Sequence, residues 1–375
     1  MTRSIKARAL DLSGSAFAGA ALLAVTAHSA SAEPKVSILQ LPFEVREFRG
    51  PGTRAAAVAP SLAPLRSDAS LKDKPLAVVW GDRGGAVLTL AGGEVRAIQL
   101  GAGAADLTTA ETERGAIPAS RIEAAGPITA SLTDPTREYP HEALGASVHA
   151  KSVSISERRP VQIAAGAQRV PVEVSRVEAG PDAVFEDREP RLAQLGREAP
   201  PEIVTVKTYP RQGSALAVIG RRGGTWRVVA ETPPAGEPNT WLNPAAFADF
   251  LGTGRPQIAL VRKPHADGVV QLWAFEGDAL TLKGEKAGYA NHVFGRSAQD
   301  LAATSDLDRD GRPELIVPTQ DRRSLAVLSM KDGIREVARI PLPARAETGI
   351  AALGAGSDLH ILVGLEDGRI ADIRP

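Results

Sequence analysis

Cysteine is absent from all 375 residues, so disulfides, thiolate nucleophiles and cysteine-ligated zinc are excluded. Aromatic residues are few, 4 Trp, 3 Tyr and 8 Phe, against 36 Gly and 28 Pro, a balance suited to many short strands joined by tight turns. No block of basic residues occurs and the formal net charge is zero, so nucleic acid is not an expected partner. Beyond the N-terminus no apolar run is long enough to span a bilayer. Catalytic signatures are missing as well: there is no Gly-x-Ser-x-Gly elbow, no His-Glu-x-x-His, no phosphate loop, and no Gly-x-Gly-x-x-Gly following a strand.

What is present begins with an address. Arg3, Lys6 and Arg8 give a positive start, Phe17 to Ala27 is a short apolar core, and Ala30-Ser31-Ala32 is the small-x-small pattern of a signal-peptidase site. Residues 1–32 are therefore expected to be a signal peptide, cut between Ala32 and Glu33, and the mature chain to be periplasmic or secreted. With no cysteine, a lipoprotein anchor is excluded. Residues 33–375 are expected to form one domain, its first part, 33–66, supplying a strand and a lead-in.

Asp306 to Val317, DLDRDGRPELIV, places Asp306, Asp308 and Asp310 at alternate positions before Gly311, with Glu314 at the ninth. Oxygen donors so spaced around a glycine turn suit Ca²⁺, which takes many oxygens at roughly 2.3–2.6 Å. The short apolar run that follows, Glu314 to Val317, ahead of a second one, Leu325 to Leu328, places the loop between strands and so argues against an EF-hand. The pattern recurs. Phe247 to Val261 has Asp249 first and Gly254-Arg255-Pro256 where the other has Gly311-Arg312-Pro313, and Leu192 to Val206 has Gln194 first and Glu202 ninth. Weaker copies start at Asp68, Ala143 and Ala351, giving six degenerate copies over 67–375 at a period of roughly 50 residues, as in a propeller blade.

Within a copy, apolar segments alternate with glycine turns, as in Leu76 to Trp80, Ala86 to Leu90 and Val95 to Leu100, the signature of an antiparallel meander. No amphipathic helical segment interrupts the series. The last copy runs out one outer strand short, and Val36 to Leu41 is a free strand that would complete it. The fold expected is all-β, a closed β-propeller of six or seven four-stranded antiparallel blades, its last blade completed by the N-terminal strand, with 101–134 as an insertion or loop.

Loop and flanking strands together resemble the FG-GAP or VCBS repeat of integrin-like β-propellers over most of 68–375. By that resemblance one structural Ca²⁺ is implied, held by Asp306, Asp308, Asp310, the Arg312 carbonyl and Glu314. It does not carry over to the other copies, which have Leu251, Thr253 and Gln257, or Gly196, at ligand positions.

If the ion loop opens on one face, the connections between blades and between second and third strands open on the other. Tyr139, His141, Glu186, Trp241, Asn243, Asn291 and His292 fall in the former connections and His265 in the latter, so these eight residues are the candidate binding face. A metal held by His141, His265 and His292 lacks local ligand spacing. Glu186 and Asp187 are adjacent and would point to opposite faces, so they do not form a catalytic pair. The first function expected is an exported, non-catalytic binding or scaffold protein, a monomer docking a protein or glycan on this face. The alternative is an exported hydrolase or lyase acting on a saccharide or lactone, with Asn243, His265, His292 and Glu186 around a central channel. Convergence of those four side chains on one cavity favours the enzyme.

Overall fold

The computed structural model describes residues 1, 34–62, 65–71, 74–101, 104–158, 171–196 and 200–375. The expected signal peptide lies outside them. By contacts the chain divides into Met1–Glu33 and Pro34–Pro375, and all that follows concerns the second unit.

Its architecture is all-β, built of antiparallel meanders. Three sheets have four strands in sequence order: Glu47–Arg49, Ala77–Gly81, Gly84–Ala91 and Glu94–Gln99; then Leu242–Ala248, Gln257–Arg262, Val269–Glu276 and Ala279–Ala287; then Ala303–Ser305, Glu314–Pro318, Ser324–Ser329 and Arg335–Pro341. The terminal sheet takes Ala346–Leu353, His360–Leu365 and Ile370–Arg374 from the end of the chain and Lys35–Leu39 from its start. The expected pairing of the N-terminal strand is thus present, in the register Val36 opposite Ile373 and Ile38 opposite Ala371. The strand ends at Leu39, two residues earlier than the sequence suggested.

Two expectations are corrected in the second quarter of the chain. Residues 101–134 are not a loop insertion: they contain the helix Ala104–Ala110 and the strand Glu123–Ala125, and the strand Ile128–Thr136 begins within them. Nor are the second and third copies separate sheets. Val184–Phe185 pairs both with Ala150 and with Lys207 and Thr208, welding two four-stranded meanders into one nine-stranded sheet. A second short helix, Arg54–Val58, capped by the Thr53 hydroxyl, packs against the first. Both are too short to show a helical period in sequence.

The second strands are apolar on both faces because each sheet is covered on both sides. Ile258 and Leu260 pack with Val204, Val206, Leu216 and Val218 of the preceding meander. Their neighbours Ala259 and Val261 pack the other way, with Leu315 and Val317. The same alternation continues from Ile316 to Ile361 and Val363, and from Leu362 to Val79 and Leu88 of the first sheet. The other face of the first sheet, with Val78, Trp80 and Val87, is covered by the two helices, through Ala55, Ala56 and Leu107. Fourth strands face solvent on one side, as the alternating exposure of Ala279–Ala287 shows.

Candidate functional site

Six of the eight candidate residues are joined by hydrogen bonds or ring contacts into one cluster, and the other two, Asn243 and Asn291, bond each other. His141 Nδ1 meets Glu186 Oε1 at 2.5 Å, and Thr208 Oγ1 donates to Glu186 Oε2 at 2.8 Å. The Trp241 indole donates to the Glu186 carbonyl at 2.9 Å, stacks on His265 at 5.9 Å, and meets the His292 ring edge-on at 4.6 Å. Tyr139 lies 5.6 Å from His141. Asn291 and Asn243 sit beneath, each donating to the other's backbone carbonyl at 3.1 Å.

The face is not, however, the open polar surface the sequence suggested. Glu186, Asn243 and Asn291 have no exposure, and Trp241, His292, Tyr139 and His141 are also buried. Most of their polar atoms are bonded within the cluster, where an unpaired buried polar group costs about 1–3 kcal/mol; Asn291 Oδ1 is buried without a partner among the described residues. Asn243 is further tied to Gln299, donating to its carbonyl at 3.2 Å and accepting from its amide at 3.1 Å. What remains at the surface is His265 and a residue the sequence reading passed over, Phe294, which is 58% exposed. Its ring lies 6.2 Å from His141 and 5.3 Å from His265, and only its position three residues beyond Asn291 marked it in sequence.

Hydrogen bonding fixes which imidazole nitrogens are free. His292 Nε2 faces the Arg296 carbonyl at 2.9 Å, which only accepts, so Nε2 carries the proton and Nδ1 accepts from His265 Nε2 at 2.8 Å. His265 therefore keeps the lone pair on Nδ1. His141, donating from Nδ1 to the Glu186 carboxylate, keeps its lone pair on Nε2. Though its edge reaches the surface, His265 is desolvated by the Trp241, His292 and Phe294 rings around it and, with the charges of His141 and Arg322, is lowered to about 4; burial with the neighbouring His265 holds His292 well below the usual range. Both rings are neutral at pH 7. Burial pushes the Glu186 carboxyl up, against the opposing pull of His141. A cavity of about 460 Å³ lies beside the cluster, walled by Tyr139, Tyr209, Lys151, Arg211 and Gln212.

A second cavity, of about 430 Å³, is lined by Thr53, Glu123, Glu189, Phe247, Asp300 and Ile350, of which Glu123, Phe247 and Ile350 lie on strands of three different sheets. An ionic network surrounds it. Arg121 grips Asp300 at 3.0 Å and contacts Glu189 closely; Arg49 holds Glu111 at 3.0 Å and Asp300 at 3.5 Å. Burial and the adjoining Glu189 push Glu123 up to about 9, while Glu189, despite burial, is held low by Arg121 and Arg191. The two carboxyls are hydrogen-bonded and share a proton.

The acidic loop lies, as expected, between strands, Ala303–Ser305 and Glu314–Pro318. Gly311 adopts φ 85°, the left-handed turn that the glycine permits. Both Asp306 oxygens accept main-chain N–H groups, from Asp310 at 3.1 Å and Gly311 at 3.0 Å, and Glu314 accepts from Leu307 at 2.9 Å. Asp306, Asp308 and Glu314 bring one oxygen each within 4.8 Å of one another, a donor set that suits a cation. Arg312 meets the loop through its N–H and guanidinium, both on Asp310. The Lys331 ammonium is lodged among these carboxylates, in close contact with Asp308, 2.5 Å from Asp310 and 3.8 Å from Glu314.

No family model matches the chain, and no curated protein matches it. Among solved structures it is similar to the Trypanosoma rangeli sialidase in complex with 2,3-difluoro-KDN, at 10% identity over 81% of this chain and 52% of that one, with a TM-score of 0.40. The same sialidase with 2,3-difluorosialic acid, a covalent intermediate, gives 11% identity and 0.40. A luciferin-regenerating enzyme gives 8% identity and 0.39 over 91% of this chain and 95% of that one. The chain spans about half the length of the sialidases.

Proposed function

We propose that this chain is an exported hydrolase, a β-propeller of six blades closed by its N-terminal strand, that opens a lactone or comparable ester ring. The observation that carries this is the His141–Glu186 couple: an imidazole held at 2.5 Å by a carboxylate of no exposure, with its other nitrogen left as a base beside exposed Phe294. A carboxylate so placed fixes the tautomer and orientation of the ring and stabilises the imidazolium formed when it takes a proton. Water deprotonated by His141 Nε2 adds to the ester carbonyl. The alkoxide leaves with that proton, ring oxygen and carbon separating to give a hydroxy acid.

Lactone is favoured over glycoside on the same geometry. Glycoside hydrolysis canonically needs two carboxyl groups flanking the bond, and the one carboxyl in this cluster is enclosed and bound by Thr208. Tyr139 both lines the 460 Å³ cavity and lies 5.6 Å from His141, which supports that cavity as the place where the ring binds.

The mature protein, beginning at Glu33, is tested against a panel of chromogenic γ- and δ-lactones and aryl esters. Turnover is expected, lost on His141→Ala and lowered about 10²-fold or more by Glu186→Gln. Turnover insensitive to His141→Ala, or none from folded protein with any member of the panel, sinks the proposal. Phe294, 58% exposed, supports a second reading in which the face docks a protein or glycan partner without chemistry. Capture of a partner from periplasmic extract, lost on Phe294→Ala in protein without turnover, distinguishes it.

A further inference from the structure

The chain contains its own control for the acidic loop. In the Asp249 copy the first-position carboxylate accepts N–H groups from Thr253 at 2.8 Å and Gly254 at 2.6 Å, and Gln257 Oε1 accepts from Leu251 at 3.0 Å. Asp306 makes the same two bonds, from Asp310 and Gly311, while Glu314 accepts from the second-position Leu307 where Gln257 accepts from the third; in the Asp249 copy they form although the other ligand positions hold no acid. In the Gln194 copy Glu202 accepts from Leu195 at 3.2 Å and Gly196 at 3.0 Å. The turn is therefore shaped by main-chain N–H groups meeting side-chain oxygens at its first and ninth positions, with no ion required.

Charge at the ninth position is a separate matter, and each acid there has a partner at a fixed place in the sheet. The residue after the ninth position pairs across to the third strand: Ile203 to Ile219, Ile258 to Trp273, Leu315 to Leu328. Three residues beyond those partners stand Arg222, Glu276 and Lys331. Where the ninth position is Glu202, the base is Arg222, 3.4 Å away; where it is Glu314, the base is Lys331, 3.8 Å away. Where it is the neutral Gln257, the residue is the acid Glu276. A cation appears at this site in the two copies with an acid to neutralise.

We infer that Lys331 is the resident cation of the Asp306 loop, standing where the motif implies a metal, and that Ca²⁺ enters only by displacing it. Four carboxylates around one turn repel unless a positive charge sits among them. A tethered ammonium supplies that charge with no dependence on ion concentration, through its contacts with Asp308, Asp310 and Glu314. Lacking a second charge and the six to eight oxygen contacts of calcium, it neutralises the loop only in part.

Thermal midpoints of the mature protein, Lys331→Met and Lys331→Arg are compared in EDTA and in about 5 mM Ca²⁺, an ion that stabilises by binding only the folded state. Wild type and Lys331→Arg are expected to melt alike in both. Lys331→Met is expected to melt lower in EDTA and to recover the wild-type midpoint in Ca²⁺, an effect lost on adding Asp308→Ala. Lys331→Met as stable as wild type in EDTA shows that the lysine is not the counter-ion. A wild-type rise in Ca²⁺ as large as that of Lys331→Met shows that it does not compete. Lys331→Met lowered but deaf to Ca²⁺ shows that no metal takes its place. Each of the three overturns the inference. If Lys331→Met does not fold in EDTA, refolding it in Ca²⁺ gives the same decision.

Discussion

Val36, on the first described strand, lies opposite Ile373, two residues from the end of the chain, and Ile38 opposite Ala371 packs against the core shared by the fourth and terminal sheets. The two ends of the chain therefore build one sheet. Removing 34–40 leaves Ile370–Arg374 as an unpaired edge and uncovers part of that core. We expect the truncated protein to melt several degrees lower and less cooperatively, against the usual tolerance of termini to trimming. An unchanged melting curve contradicts the pairing.

Acid should loosen the histidine cluster before it unfolds the sheets. His149 has no exposure and is lowered to about 4 by burial and Arg188; His265 is lowered to a similar value. A histidine whose folded pKa lies below its unfolded value near 6.5 supports the fold while neutral, so its contribution is present above pH 6.5 and is lost as pH falls toward 4. For His149 that amounts to about 3 kcal/mol at pH 4. Urea unfolding from pH 7 to pH 4 should show this loss, and His149→Phe should reduce it. A profile flat down to pH 4 refutes the assignment.

Paired amides give a sharper test of what holds the face together. Asn243 and Asn291 each donate to the other's carbonyl, and Asn243 also joins Gln299, all three buried. Asn243→Ala leaves the Asn291 and Gln299 carbonyls without a partner and should cost about 2–4 kcal/mol. Asn243→Asp should cost a comparable amount, since it exchanges a donor for a buried charge. Chemical denaturation measures both. A loss below about 0.5 kcal/mol for either means the knot is not a stabilising element.

Much of this fold is legible in the residues because strands write themselves locally: Ile258–Val261 is apolar throughout, and Gly277-Asp278 marks the reversal to the next strand. Gathering of Glu186, Trp241, His265 and His292 was legible too, since all lie in connections expected on one end of the meanders. Their burial was not. A side chain's polarity is in the sequence, but whether its bonds are met by water or by Thr208 and Trp241 depends on residues 22 and 55 positions away. The same distance hid Lys331, which meets Asp308 across 23 residues, and Arg121, which meets Asp300 across 179. Val184–Phe185 misled for another reason: two residues are too few to show a period, yet they join two meanders.

Glu123 offers the reverse of the acid prediction. Its folded pKa, about 9, lies above the ordinary carboxyl value of 4.5 because burial and Glu189 penalise its charge. The folded protein keeps this proton while the unfolded chain gives it up, so stability is lost as pH rises from 4.5 toward 9. Arg121, holding Glu189 ionised, offsets part of that loss. In Glu123→Gln the amide still donates to Glu189, and there is no proton to lose. We expect this variant to match wild type near pH 5 and to exceed it by about 1–3 kcal/mol at pH 8. Glu189→Gln should do the opposite, leaving the buried Arg121 guanidinium with Asp300 alone, and should destabilise at both pH values. Denaturant melts at pH 5 and pH 8 separate the cases. If Glu123→Gln gains nothing on going to pH 8, the two carboxyls are not sharing a proton, and the network around the cavity is fully ionised.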